Sequence, residues 1–330
     1  MKRKTTIFLL LILSNFVFAQ FDTNYVHITK RKFVVTPIYE FYKSRYNINN
    51  VVLDNDSSYK EVEQTYSSKN NIYLGIGISF YRIGFSITFL LPYTNNPELE
   101  NSKSISFMGG YSVKKFYGEL GYRYHRGFEK DVYTFTDDST IVDSTIISTD
   151  IHFQQLSGVL YYFPSKKYNY DANYKNYNIQ KKSAISPLFI AGIGYFNTKG
   201  IFEIIDSTHT QKEYRELRTF AIKTGGGIAG TLIFHKFYAT VLSYIGASLN
   251  NNRINDGINS ETYTKVYPTL QFRTSFGYNS NRLIAAFTFN YDNDLIYLKP
   301  SIIGINNFYM GIKIGYKFSY KHLGKVSKYL

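Results

Sequence analysis

Between Phe308 and Tyr320 the chain alternates without a break. Phe308, Met310, Ile312, Ile314, Tyr316, Phe318 and Tyr320 share one parity; Tyr309, Gly311, Lys313, Gly315, Lys317 and Ser319 share the other. Side chains of a strand point alternately to its two faces, so this strand is apolar on one side and carries lysines on the other. A strand that faces lipid outward and a wet lumen inward accounts for both faces.

The opposite end of the chain agrees. Lys2, Arg3 and Lys4 precede an apolar run from Ile7 to Leu13, and Phe16-Val17-Phe18-Ala19 follows. A basic start, a short apolar run and small or β-branched residues before a cut make a secretory signal peptide. We read residues 1–19 as that signal, with Sec export, and residues 20–330 as a single domain. The run is shorter than the ~20 residues a membrane-crossing helix needs, and no later segment reaches that length without charges or glycines. An exported chain can still cross a membrane as a closed barrel, in which every backbone group finds a partner on a neighbouring strand. The absence of cysteine excludes disulfides and a lipidated N-terminal Cys.

The strand pattern recurs upstream. Ile72–Phe80 places Ile72, Leu74, Ile76, Ile78 and Phe80 on one face, and Ile83–Leu91 does the same with Ile83, Phe85, Ile87, Phe89 and Leu91. Phe116–Tyr124 sets Phe116, Leu120, Tyr122 and Tyr124 against Tyr117, Glu119, Gly121 and Arg123. With Phe33–Phe41, Lys103–Val113, Phe153–Phe163, Pro187–Phe196, Phe220–Leu232, Phe237–Ala247, Val266–Tyr278, Leu283–Tyr291 and the final strand, the expectation is an all-β fold. It is a transmembrane antiparallel β-barrel of about twelve strands, within a range of twelve to fourteen. Tight links fall at Tyr81-Arg82, Lys114-Lys115, Ile233–Lys236 and Asn279–Arg282. Long polar ones fall at Tyr46–Asn71, Arg126–Ile151, Thr198–Arg218, Leu249–Lys265 and Asp292–Asn307. From a periplasmic N-terminus, the short turns are periplasmic and the long loops extracellular. Pro164–Ser183 breaks this rule. It is long where a short turn belongs, and either hides further strands around Tyr168–Lys175 or folds into the lumen as a plug.

Aromatics make up 18% of the chain, as girdles at two membrane interfaces would require. The formal charge is +14, or 14 − 3 = +11 without Lys2, Arg3 and Lys4. For an exported protein such a balance points to outer-membrane lipid and lipopolysaccharide as partners and away from nucleic acid. The last strand also carries an arrangement resembling the C-terminal signal read by the barrel assembly machinery: Lys313, Gly315 two residues on, then Phe318 and Tyr320. Its departure from that pattern is the tail from Lys321 to Leu330.

Gln180-Lys181-Lys182-Ser183-Ala184, the strand from Leu188 to Tyr195, the opening Phe21–Val26, Leu74-Gly75-Ile76-Gly77 and Phe116-Tyr117-Gly118 resemble blocks of an exported Bacteroidota family, domain of unknown function 4421. The resemblance spans the mature chain and implies an outer-membrane barrel without supplying an activity. It also implies that the irregular Tyr168–Ala184 segment, with Gln180, Lys181, Lys182 and Ser183, is a shared feature of the fold.

Chemistry is sparse. Glu119, Arg123, Gln271, Arg273, Asn290, Lys313 and Lys317 fall on inward faces, where they either line a selectivity zone or fill the barrel as a salt-bridged interior. A barrel lipase or deacylase needs a Ser–His pair oriented by a third polar group, and His125, beside Glu119 and Arg123, is the best placed of six histidines. Asp137–Thr140 and Asp143–Thr145 are oxygen-rich but lack calcium-loop spacing. Gly225–Gly227 is not followed by the Lys-Ser/Thr of a phosphate loop. No pattern asks for a metal or a cofactor. The reading is a non-enzymatic barrel, either a small passive pore or a structural and surface-interaction protein, with a lipid-modifying enzyme as the alternative.

Overall fold

The computed structural model of the chain describes residues 21–29, 32–53, 59–68, 72–91, 102–136, 139–205, 210–255, 258, 260–298 and 301–319. The expected signal peptide, Asp137-Asp138, Tyr320 and the tail lie outside the described residues.

The fold is all-β, and its wall closes with twelve antiparallel strands. These are β2 (Lys32–Leu53), β4 (Ile72–Phe80), β5 (Ile83–Leu90), β6 (Lys103–Val113), β7 (Phe116–Thr136), β8 (Ser139–Tyr162), β10 (Ala184–Ile205), β11 (Thr210–Phe234), β12 (Phe237–Asn255), β13 (Ser260–Asn279), β14 (Leu283–Leu298) and β15 (Ser301–Ser319). Each pairs with the next, and β15 closes on β2. At the closing seam the ladder skips Ile314 and Gly315 opposite Pro37 and Thr36, because proline has no N–H to donate. Three tight turns place Tyr81, Lys114 and His235 at positive φ, the left-handed backbone that matches a hairpin turn to strand twist.

The alternation read from the sequence sorts the two faces. Leu74, Ile76, Phe85, Phe107, Leu120, Phe189, Ile193 (58% exposed), Ile245, Ile312 and Phe318 stand on the outside, while Ser104, Ser106, Tyr117, Tyr161, Arg273 and Lys317 are buried inside. A continuous band of exposed large apolar side chains around a closed sheet is stable only against hydrocarbon. Ala191, outward on β10 and exposed between Phe189 and Ile193, is a direct probe of that band. Ala191→Arg is expected to destabilise the folded barrel by about 2–4 kcal/mol in a bilayer, measured by equilibrium denaturant unfolding from vesicles.

Two features depart from the expectation. The stretches Arg126–Ile151, Thr198–Arg218 and Leu249–Lys265, expected as loops, are largely strand, so that β8 runs 24 residues and β11 runs 25. Beyond the hydrocarbon both faces of a strand are wet, so the apolar alternation disappears while the ladder continues. For the same reason Pro268, expected near a strand start, lies inside β13 opposite Ala247. It is tolerated because β14 joins only from Thr269 onward, leaving an unpaired edge at the proline.

An added strand, β3 (Tyr59–Ser68), lies within the expected loop Tyr46–Asn71. It pairs with the far end of β2 and with β7. There one strand takes the place of the shorter β4, β5 and β6. A two-stranded ribbon, β1 (Val26–His27) with β9 (Ile179–Gln180), stands at the short-turn end.

Candidate functional site in the barrel lumen

Between β8 and β10 the chain turns into the barrel. Tyr168, Asn169, Tyr170, Asp171, Ala172, Asn173, Tyr174, Asn176, Tyr177 and Asn178 are all buried. Asp171–Lys175 forms one π-helical turn, ended by Asn176 in the left-handed conformation. Asn tolerates that backbone better than most residues. The turn is held from several sides of the wall. Asn279 donates to the carbonyls of Ala172 (3.0 Å) and Asn178 (2.8 Å). Lys317 Nζ donates to the Tyr177 carbonyl (3.1 Å) and to Asn279 Oδ1 (2.8 Å). Lys313 Nζ donates to the Tyr174 carbonyl. Tyr174 donates to the Arg273 carbonyl at 3.1 Å, and Ser112 donates to Asp171 Oδ1 at 2.6 Å. These partners lie on β6, β13 and β15, so the segment spans the lumen and is fixed across it.

Aromatic stacking supplies the rest. The Tyr170 ring lies 4.0 Å from that of Tyr117 and 4.8 Å from that of Tyr174, with Tyr161, Phe163 and Tyr168 in the same cluster. Lys175 pairs with Asp171 at 3.6 Å and lies over the Tyr117 ring at 4.4 Å. Glycine makes room for this arrangement: a Cβ at Gly110 would stand 2.3 Å from the Tyr117 hydroxyl and 3.0 Å from Lys175 Nζ.

Above the segment remains a cavity of about 280 Å³, lined by six of the seven residues expected to face inward: Glu119, Arg123, Gln271, Arg273, Asn290 and Lys313. Lys317, the seventh, is 1% exposed and sits beneath, tied to the segment. Glu119 pairs with Arg273 at 3.2 Å, and Arg273 also donates to the Tyr170 hydroxyl. Asn290 is joined to Arg273 (3.4 Å) and to Asp292 (3.4 Å), and Gln271 donates to Asp292 as well. The Arg123 guanidinium covers the face of Tyr42 at 3.7 Å. Glu40, across the same space, accepts a hydrogen bond from Tyr309 at 3.0 Å.

Among the described residues Glu119, Arg273, Asn290, Gln271 and Asp292 are thus cross-linked into one polar network. Sequence reasoning places Tyr309 on the lysine-bearing face and Tyr168–Lys175 in a candidate plug, but it assigns no role to Glu40, to Tyr309 or to the segment's individual tyrosines. Glu40 and Tyr309 were visible in principle, since strand parity turns both inward. Nothing in the parity of an irregular segment announces a stacked tyrosine cluster.

The remaining expectations fall as follows. Gln180–Ser183 lie at the short-turn rim outside the lumen. Gln180 is buried and donates to the carbonyls of Lys167 and Lys182, while Lys181 donates to the Thr23 carbonyl. Of the assembly pattern, Lys313 and Gly315 face inward and Phe318 outward. His125 is 1% exposed; its Nε2 bonds the Gly127 carbonyl at 2.8 Å and its Nδ1 lies 3.4 Å from the Tyr73 hydroxyl. Neither contact is to a carboxylate. Asp143–Thr145 belong to β8, and among the described residues no cluster of acids and histidines is placed to hold a metal. Gly225 and Gly227 allow close strand approach: a Cβ at Gly227 would meet the Ser243 carbonyl at 2.0 Å.

Residues 20–318 match the family model of a domain of unknown function (DUF4421). No curated protein matches the chain in sequence. Among solved structures it is similar to the translocator domain of the autotransporter NalP from Neisseria meningitidis, at 10% identity and a TM-score of 0.40, covering 86% of this chain and 88% of that one. It is also similar to the outer membrane protease OmpT from Escherichia coli, at 8% identity and a TM-score of 0.35, covering 90% and 100%. A third is the TodX monoaromatic hydrocarbon channel, at 7% and 0.27, covering 88% and 91%.

Proposed function

We propose that this chain, which belongs to the DUF4421 family, is an outer-membrane barrel with a closed lumen that works through its surfaces, neither as a pore nor as an enzyme. The observation that carries this reading is the Tyr168–Asn178 segment, buried and fixed across the lumen by Asn279, Lys313 and Lys317. A pore of this girth would keep a wetted path along its axis, whereas here stacked tyrosines and an ion pair occupy it. The long hairpins β7–β8, β10–β11 and β12–β13 then supply the interaction surface. Under this reading residues 1–19 direct Sec export, the assembly machinery reads the last strand, and the short turns face the periplasm. The hairpins meet lipopolysaccharide and the exterior, and the Bacteroidota origin belongs to the same proposal.

Liposomes loaded with small sugars and carrying the folded barrel test it. They are expected to retain their contents as well as protein-free liposomes, and release at porin-like rates would contradict the reading. The lipase alternative rested on His125, whose ring nitrogens are engaged by a backbone carbonyl and a tyrosine. His125→Gln is expected to leave any phospholipid or lipopolysaccharide acyl hydrolysis unchanged at the background of the wild type. A hydrolytic rate that falls tenfold or more with this substitution would restore the enzyme.

A further inference from the structure

The short-turn rim is a strongly basic surface. Arg82, Lys115, Lys166, Lys182, Lys236 and Arg282 all lie on it, and Asp22 is the one carboxylate found there among the described residues outside the lumen. The rim is continuous, because each turn is bonded to the next hairpin: Ser112 N–H to the Arg82 carbonyl, Phe163 to Lys115, Asn279 to Lys236, Lys317 to Arg282.

At one place the rim is more than a charged edge. Where the inserted segment leaves and rejoins the wall, a cleft of about 800 Å³ opens between the leader and the base of β10, lined by Phe21, Tyr25, Lys166, Lys167, Ser183 and Ile185. Asp22 also lines it, with one carboxylate oxygen taken by the Asn24 N–H at 2.9 Å. Lys167 Nζ and Lys182 Nζ stand 5.0 Å and 5.6 Å from the Tyr25 ring, so two lysines line a cleft containing one acid and a third stands beside its Tyr25 wall. Its outer wall is Ile185, 67% exposed on the lipid-facing side of β10. The cleft is therefore cationic at its floor and continuous with the apolar band at its mouth.

We propose that this cleft holds the headgroup of an anionic phospholipid, with the phosphate at Lys166 and Lys167 and an acyl chain running along Ile185. A soluble anion would use the lysines and gain nothing from Ile185. A zwitterionic lipid would use Ile185, but its own cation would face the lysines. Only an anionic lipid matches both walls. The proposal rests on the barrel lying in a bilayer and is independent of whether the lumen is closed, so retention of lipid and leakage of solute fail separately.

Native mass spectrometry of the full barrel in neutral detergent, with equimolar phosphatidylglycerol and phosphatidylcholine added, tests it. The wild type is expected to retain phosphatidylglycerol over phosphatidylcholine by roughly thirtyfold, about what two basic groups near an anionic headgroup supply. Lys166→Gln with Lys167→Gln is expected to bring the ratio to parity. Lys115→Gln with Lys236→Gln, elsewhere on the rim, is expected to keep it. Equal retention of both lipids by the wild type would overturn the proposal, as would an equal loss of preference in both variants. Displacement of the lipid by an equal concentration of glycerol phosphate would also overturn it, by showing a site for the soluble anion.

Discussion

Arg273→Ala is expected to destabilise the barrel by about 3–5 kcal/mol, the cost of stranding a buried charge by removing its partner. Arg273 holds the Glu119 carboxylate at 3.2 Å from the opposite part of the wall and also donates to Tyr170. Without it, a carboxylate with 13% of its side chain exposed keeps, as its hydrogen-bond donor among the described residues, the Tyr117 hydroxyl at 3.3 Å. The double change Arg273→Met with Glu119→Gln removes both charges and is expected to cost less than Arg273→Ala alone. Equilibrium unfolding in denaturant distinguishes them. A double variant at least as unstable as the single one would mean that the pair matters only for its volume.

The second large effect concerns the lumen. Replacing residues 168–178 by a short Gly-Ser link is expected to turn a silent barrel into one that carries steady ionic current. What remains would be the cavity already present above the segment, now continuous with the short-turn end. Should the link hinder assembly, Asn279→Leu with Lys317→Met addresses the same claim with the chain intact. It removes both bonds from Asn279 to the segment carbonyls and the Lys317 bond to Tyr177. Intermittent openings are expected from this variant, since the stacked tyrosines still favour the seated position.

Much of this architecture is legible in the sequence for a definite physical reason. Where a strand crosses hydrocarbon, lipid on one side and lumen on the other impose a two-residue period. Ile312, Ile314 and Phe318 against Lys313 and Lys317 display it openly. Twelve such segments close into the wall, and the seven inward polar residues end up facing or underlying one interior space.

Where the environment is the same on both sides of a strand, the period vanishes. This is why Thr198–Arg218 looks like loop and is the meeting of β10 with β11, and why β3 leaves no mark. The inserted segment is hidden for a different reason. Tyr168, Tyr170 and Tyr174 share one cluster, while Tyr177 packs with Val34 and Ile284 and donates to the Lys32 carbonyl 145 residues away in sequence, a contact pattern no local period encodes. Lys317 shows the same limit: its parity places it inward, yet only the tertiary fold brings the Tyr177 carbonyl to its ammonium group.

The central claim is that residues 168–178 seal the lumen, and single-channel recording of the folded wild-type protein in a planar bilayer tests it most directly. The prediction is an unbroken baseline at moderate voltage, from protein whose insertion is verified independently by the heat-dependent gel mobility of the same preparation. Discrete, reproducible current steps from the unmodified barrel would contradict it. If charge swaps at Arg123 or Lys313 then shifted ion selectivity, the lumen would be a conducting path.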